Sequence, residues 1–312
     1  MATMHHGREH FELREPDALT LALQLQRPAA TRPLADVIYV HGATFGADLS
    51  VFFSFDGRSW ADELAAAGLA VWGFDFAGFG RSQRYPADDQ GPVGAIDDAV
   101  RQLARIVGAV RQRNGDRAVV LLSHSRGGAV AARYAGEQPR DVAALVLFAP
   151  IVVRTSGAPV AAMATQQASQ YPLSVWAQHR RFSEDWPRGE PPLIADAHME
   201  KWATGFLASD PMAASRTPAS VMTPAGPLAD IGALWSGHAL YDPARIASPT
   251  LLVRGARDSV CNDGDAARLM AALHVRDKVD VKIEAATHQM HLERQRGALH
   301  EQVNRFVRHL LR

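Results

Sequence analysis

The stretch Leu122-Ser123-His124-Ser125-Arg126-Gly127-Gly128 places a serine at the junction between an apolar run and the helix-like Ala129–Tyr134, with small residues two positions to either side. This is the pattern of a nucleophile elbow, a strained strand-to-helix turn that presents a hydroxyl and leaves no room for large flanking side chains. Ser123 stands where glycine is commoner, and it is still small. A hydroxyl near its ordinary pKa is a poor nucleophile: it needs an imidazole to take its proton, and that ring needs a carboxylate to fix its tautomer. Downstream, Pro249–Gly255 reads as a strand and turn that deliver Asp258, and Val279–Glu284 as a strand whose exit loop presents His288. The chemistry of such a set is acyl transfer through a serine ester, with Ser125 as nucleophile, His288 as base and Asp258 as the orienting acid.

Neighbouring residues compete for these roles. His291 follows His288 by one helical turn, where the closing helix begins, and His124 fits a packing position beneath the elbow. Asp263 and Asp265 open a helix, where a carboxylate caps free N–H groups. Cys261 lies close to Asp258 without a base of its own and reads as a buried structural thiol.

Elements able to position the set recur along the chain. Ala35–Val40, Leu69–Phe74 and Ala118–Leu122 are short apolar runs ending at polar or glycine turns, which predicts buried strands. Trp60–Ala67 and Ala95–Gln112 between them carry helical periodicity, so the strands are joined by parallel crossovers. Ala143–Phe148, Pro249–Arg254 and Val279–Glu284 extend the series, Glu9–Gln26 supplies an antiparallel edge hairpin, and Asp263–Leu273 and Leu292–Leu311 read as late helices. The expectation is an α/β fold with a mostly parallel sheet of eight strands flanked by helices.

The alternation stops between 152 and 241, where Met163, Trp176, Trp186, Trp202, Phe206, Met212, Met222 and Trp235 are interspersed with prolines. We read an inserted helical cap at 152–241 between core segments 1–151 and 242–312. Some of its aromatics, with Trp176, Trp202 and Trp235 as candidates, would wall an apolar substrate pocket. His179, His198 and His238 fall in this segment without metal-ligand spacing.

His41-Gly42, the turn Asp75-x-x-Gly78-x-Gly80-x-Ser82, the Ser125 elbow, Asp258 after a late strand and His288 before the last helix stand in the order found in one family. The chain resembles the capped serine hydrolases of the α/β-hydrolase superfamily, in an esterase- or lipase-like branch, over nearly its whole length apart from the cap. The resemblance implies the α/β-hydrolase fold, no cofactor, and an oxyanion hole formed by the backbone N–H groups of Ala43 and Arg126. Serine at the nucleophile position argues against the dehalogenase and epoxide-hydrolase branches, which use aspartate there. In some of those branches the arginine after the nucleophile binds a substrate carboxylate, so Arg126 is also a candidate substrate-binding residue. The implied activity is hydrolysis of a carboxylic ester, as in a carboxylesterase. Thioester, amide, lactone or carbon–carbon hydrolysis and acyl transfer are open on the same residues, and so is a ligand-binding receptor on this scaffold.

Bulk properties narrow the partners. Of 312 residues, 47% are hydrophobic and 21% charged, enough apolar material for a sizeable core. Lys plus Arg and Asp plus Glu both number 33, so there is no basic excess to engage a phosphate backbone, and no nucleic-acid partner is expected. One cysteine excludes an internal disulfide and fits a reducing compartment. The first ten residues are polar, with no signal-like core behind them, and the longest apolar stretch, Leu145–Val153, is too short to span a bilayer. The expected protein is cytoplasmic, without a membrane span or a metal, a monomer or homodimer acting on a mainly apolar small molecule.

Overall fold

A computed structural model of the chain describes residues 7–29, 32–154 and 168–311. Its main sheet contains eight strands in the order β1-β2-β6-β3-β7-β8-β11-β12. These are β1 (Glu9–Leu13), β2 (Leu21–Gln26), β3 (Asp36–Val40), β6 (Ala70–Phe74), β7 (Val119–His124), β8 (Ala144–Phe148), β11 (Thr250–Gly255) and β12 (Lys278–Ile283). β2 pairs antiparallel with both β1 and β6, and every other pairing is parallel, so one strand alone runs against the rest. A short pair, β4 (Ser54–Phe55) and β5 (Arg58–Ser59), leads into the helix Trp60–Ala66. This is the architecture expected from the sequence, including the N-terminal hairpin.

Helices cover both faces of the sheet, which is why its central strands are continuous apolar runs. Successive side chains go to opposite faces. Ile38, Val40 and Leu121 pack with the helices Ile96–Asn114 and Arg126–Glu137 through Leu103, Ile106, Val130 and Tyr134. Val37, Tyr39, Val120 and Leu122 pack with the helices Trp60–Ala66 and Arg296–Leu310 through Trp60, Leu64, Leu299 and Val303. Because the strands run parallel, the turns that follow β3, β6, β7, β11 and β12 gather at one edge.

The segment between β8 and β11 holds β9 (Gln170–Ser174), the helices Val175–Phe182, Asp196–Ala208 and Gly226–Trp235, and β10 (Ser220–Pro224). β9 and β10 form a two-stranded antiparallel sheet that the expectation of helices alone does not include. Among the described residues, the segment shares its apolar contacts with the rest of the chain. Phe182, Trp202 and Phe206 share one apolar cluster with Phe45, Leu49 and Phe53 of the loop after β3. Its last helix packs on the main core instead, through Ile231 and Leu234. Residues 155–167 of the expected cap, Met163 among them, lie outside the described residues. Among the described residues, no helix is long and apolar enough to cross a membrane.

Candidate active site

Ser125 takes φ 54° and ψ −125°, a left-handed conformation that costs a non-glycine residue free energy and persists only where its surroundings enforce it. Its N–H donates to the Phe148 carbonyl of β8 (3.2 Å), and its carbonyl accepts from the N–H groups of Gly128 (2.9 Å) and Ile151 (3.2 Å). Gly127 has no freedom of size. A methyl group at Gly127 would lie 2.4 Å from the His41 carbonyl oxygen and 2.5 Å from that of Val40. Ser123 is accommodated because its hydroxyl turns away and donates to the Val146 carbonyl (2.9 Å).

The Ser125 hydroxyl lies 2.9 Å from His288 Nε2, and His288 Nδ1 lies 3.1 Å from Asp258 Oδ2. A carboxylate can only accept, so Nδ1 carries the hydrogen and Nε2 is left free to accept the serine proton. The other Asp258 oxygen accepts from the N–H groups of Val260 (2.8 Å) and Cys261 (2.9 Å), which locks the carboxylate plane. A methyl group at Gly255 would stand 2.3 Å from the Ala286 carbonyl oxygen, so glycine there lets the loop carrying Asp258 close on the loop carrying His288. The Arg257 N–H donates to that same carbonyl (2.9 Å) and ties the two loops together.

Residues that the sequence reading did not single out complete the frame. The buried Glu293 accepts from the Thr287 N–H (3.0 Å) and from its hydroxyl, clamping both ends of the loop that carries His288, while burial pushes its carboxyl up in pKa. From the inserted segment, Asp185 accepts from both the N–H (2.9 Å) and the hydroxyl (3.0 Å) of Ser259, the residue after Asp258. Arg154 donates to the carbonyls of Ser259 (3.0 Å) and Val260 (2.9 Å) and pairs with Asp265. Glu293 lies five positions after His288, an interval that could have flagged it. Nothing in the sequence around Asp185 points to Ser259.

The His-Gly loop after β3 runs beside the elbow, for a methyl group at Gly42 would sit 3.3 Å from Ser125 Cβ. His41 accepts from the Phe76 N–H (2.9 Å) at Nε2, so Nδ1 carries its hydrogen and donates to the Gly42 carbonyl (2.9 Å). Full burial pushes this ring down to a pKa of about 3, which keeps it neutral. Asp75 organises the next turn, accepting from the N–H groups of Ala47 (2.9 Å) and Arg81 (3.1 Å). Ala43 on this loop and Arg126 at the first position of its helix each have a backbone N–H that donates to none of the described residues. A helix N-terminus adds partial positive charge at the second of these.

The side chains expected to bind substrate have other partners. The Arg126 guanidinium is only 1% exposed and donates to Asp230 Oδ2 from Nε (2.8 Å) and Nη2 (2.5 Å) and to the Gly94 carbonyl (2.7 Å). It is therefore a buried structural cation, not a free ligand for a substrate carboxylate. Trp202 is 1% exposed and lies inside the aromatic cluster, its indole donating to the Leu49 carbonyl (3.0 Å). Trp176 is 67% exposed beneath the Arg180 guanidinium, and Trp235 packs under that of Arg154. The structure thus brings Ser125, Asp258 and His288 together with the Ala43 loop, while Trp202 is committed to the aromatic cluster and Trp176 and Trp235 pack against arginine guanidinium groups.

His124 stacks on Phe148 with ring centroids 4.5 Å apart, and His291 lies 4.6 Å from His124. Burial drives both rings well below the ordinary histidine pKa. His291 has no hydrogen-bond partner on either nitrogen among the described residues, which separates it from His288 as a base. The Cys261 thiol is buried and pushed well up in pKa, as a structural cysteine would be. Among the described residues, no cluster of His, Cys, Asp and Glu could hold a metal.

Comparison with known proteins fits this frame. A family profile described as serine aminopeptidase, S33, matches residues 32–295. No curated protein matches the chain. A serine hydrolase from Cycloclasticus zankles has 15% identity over 96% of this chain and 98% of its own, with a TM-score of 0.68. The thioesterase domain of the curacin biosynthetic pathway has 16% identity over 95% of this chain and 99% of its own, with a TM-score of 0.66. A monoacylglycerol lipase from Paleococcus ferrophilus has 19% identity over 94% of this chain and 98% of its own, with a TM-score of 0.63. At such identities the solved structures speak for the fold alone, while the profile spans most of the chain: it belongs to the serine aminopeptidase S33 family of α/β-hydrolases.

Proposed function

We propose that the protein is a serine hydrolase that cleaves a carboxylic ester of a mainly apolar small molecule through an acyl-enzyme. The observation that carries this reading is the unbroken relay from Ser125 Oγ to His288 Nε2 (2.9 Å) and from His288 Nδ1 to Asp258 Oδ2 (3.1 Å). Ser125 attacks the ester carbonyl as His288 takes its proton, and Asp258 stabilises the imidazolium. The N–H groups of Ala43 and Arg126 hold the oxyanion, each worth about 10²–10³ in rate. His288 then protonates the leaving alcohol, and water, activated by the same ring, releases the acid.

In this reading residues 152–241 act as a cap. Phe45, which stacks with His291 (6.1 Å between centroids) and meets Trp202 edge-on (5.3 Å), joins the cap's aromatic cluster to the base loop and supports an apolar substrate part. The family description brings amides as a second reading on the same residues.

The test is steady-state hydrolysis of p-nitrophenyl esters graded by acyl length, beside aminoacyl p-nitroanilides, with the wild type and Ser125→Ala. The expected result is ester turnover with a medium or long acyl optimum that falls to background in Ser125→Ala. Cleavage of anilides in preference to esters would move the assignment to amides, and equal rates for wild type and Ser125→Ala would overturn the acyl-enzyme. Added alcohol acceptors separate hydrolysis from acyl transfer in the same assay.

A further inference from the structure

Where the helix Asp196–Ala208 rests on the loops of the sheet there is a cavity of about 750 Å³, and Ser125, Asp258 and His288 are absent from its lining. This volume lies within the ~300–1,000 Å³ usual for small-molecule sites. Leu49, Phe52, Phe53, Ala208 and Pro211 give it an apolar floor and wall. Four cations, Arg8, Arg81, Arg84 and Lys201, line it against two carboxylates, Asp48 and Asp75.

Neither carboxylate neutralises these cations well. Asp75 spends both oxygens on backbone N–H groups, and burial raises its pKa. Asp48 lies 3.8 Å from Arg8 and 3.7 Å from Arg81, while it also accepts from Gln24 Nε2 at 2.6 Å. Arg84 is half-buried and donates to the carbonyls of Gly78, Met222 and Ser209, which carry no net charge. Among the described residues it has no ion-pair partner. The cation of Arg8 stands 4.7 Å from the Phe52 ring centroid and that of Lys201 5.3 Å from the Phe53 centroid, so positive charge rims the aromatic floor. Positive charge gathered this way, partly desolvated at Arg8 and Arg84 and open to solvent at Arg81 and Lys201, favours an anion, and the adjoining apolar wall favours a hydrocarbon.

We propose that this cavity is a second ligand site, distinct from the Ser125 centre, for an amphipathic monocarboxylate: the carboxylate lies among Arg8, Arg81 and Lys201, and the apolar body on Phe52, Phe53 and Leu49. The test is isothermal titration of the full chain with laurate, with dodecanol as the uncharged probe of equal length and acetate as the head group alone. Laurate is expected to bind at one site at least about tenfold more tightly than either probe, a difference of about 1.4 kcal/mol. Arg81→Gln with Lys201→Gln, both at exposed positions, should weaken laurate about tenfold and leave dodecanol unchanged. Ala208→Trp, also at an exposed position, should fill the cavity and abolish laurate binding, and Ser125→Ala should leave it intact. Circular dichroism confirms that each variant is folded. No binding of laurate by the wild type, equal binding of dodecanol, or laurate binding that survives Ala208→Trp would each overturn the proposal. The last outcome places the ligand elsewhere, including at Ser125, whether or not the protein hydrolyses esters.

Discussion

Ser125 is held by backbone atoms of the sheet and its turns, whereas the loops carrying Asp258 and His288 are held by polar side chains, Asp185 and Arg154 from far along the chain and Glu293 from five positions after His288. On the elbow side, Ser123, Gly127 and Gly128 lie within three positions of the serine, and backbone atoms of adjacent strands leave no alternative packing. On the acid and base side, the turn after Asp258 is gripped by Asp185, 74 positions earlier, and by Arg154, 105 positions earlier. Ser125 is thus part of the sheet, and its geometry cannot fail without the fold failing. Asp258 and His288 hang on polar clamps that can loosen while the sheet stands. Damage on one side should register as lost stability, and damage on the other as lost turnover.

The largest effect expected under this contrast is on the elbow side. Arg126→Met leaves Asp230, with its second oxygen 3.1 Å from the Ile96 N–H, buried without its cation. Breaking one partner of such a pair costs about 3–5 kcal/mol, while replacing both by apolar side chains is close to neutral. Chemical denaturation should show a loss of about 3 kcal/mol or more for Arg126→Met and recovery of most of it in Arg126→Met/Asp230→Leu. The backbone N–H of residue 126 is unchanged, so kcat of the folded fraction should stay within a few-fold. A stable Arg126→Met protein with kcat collapsed would break the contrast.

Glu293→Ala comes next and works on the other side. The Thr287 N–H and hydroxyl lose their acceptor, and buried donors left unpaired cost about 1–3 kcal/mol. The loop carrying His288 is then free to drift, and a misplacement of about 1 Å can cost ~10² in rate. We expect kcat to fall by about 10²-fold with KM little changed, and Glu293→Gln, which keeps an acceptor for the Thr287 N–H, to recover most of it. If Glu293→Ala lost stability but kept kcat, the clamp would be structural only.

Asp185→Ala is a milder version of the same break. Asp185 reaches the turn from the inserted segment through exposed hydrogen bonds, so its loss should leave the melting temperature nearly unchanged. A fall of about 3- to 10-fold in kcat, with Asp185→Asn in between, would show that the segment helps to align Asp258. An unchanged kcat would mean that this contact does not align Asp258.

This contrast also separates what the sequence could reveal from what it could not. The strands from Asp36 to Phe148 are legible because parallel strands covered on both faces must be apolar throughout, and Ser125 follows from where one of them ends, as Asp258 and His288 do from the ends of Thr250–Gly255 and Lys278–Ile283. Arg126 is open in sequence both to a substrate-ligand role and to pairing with a structural carboxylate, because its partner Asp230 lies 104 positions away with no local mark. Trp176 and Trp202 are alike in sequence, yet one is exposed and the other buried, since the cluster that decides between them includes Phe45 and Leu49 from the sheet's own loop. Long-range polar and aromatic pairings are what a single sequence leaves open.

The smallest effect at neutral pH, and the finest test of the boundary between the two sides, is His291→Phe. His291 stacks on Phe45 beside His124, fully buried and with neither nitrogen bonded among the described residues, so a phenyl ring should fill its place at little or no cost. Its signature lies in acid. A histidine held well below its ordinary pKa of 6.5 stays neutral in the fold while the unfolded chain binds a proton. Its contribution is complete above that pH, and stability falls as the pH drops below it, by up to about 1.4 kcal/mol per pH unit for each such ring. His41 and His124 are depressed in the same sense, so the wild type should lose stability steeply below about pH 6. Denaturation curves taken down to pH 5 should show a slope shallower by about one ring's share in His291→Phe, with ester turnover at neutral pH within a few-fold of wild type. A slope identical to wild type would mean that the ring is protonated in the fold or reaches water, and a collapse of turnover would make His291 part of the base assembly after all.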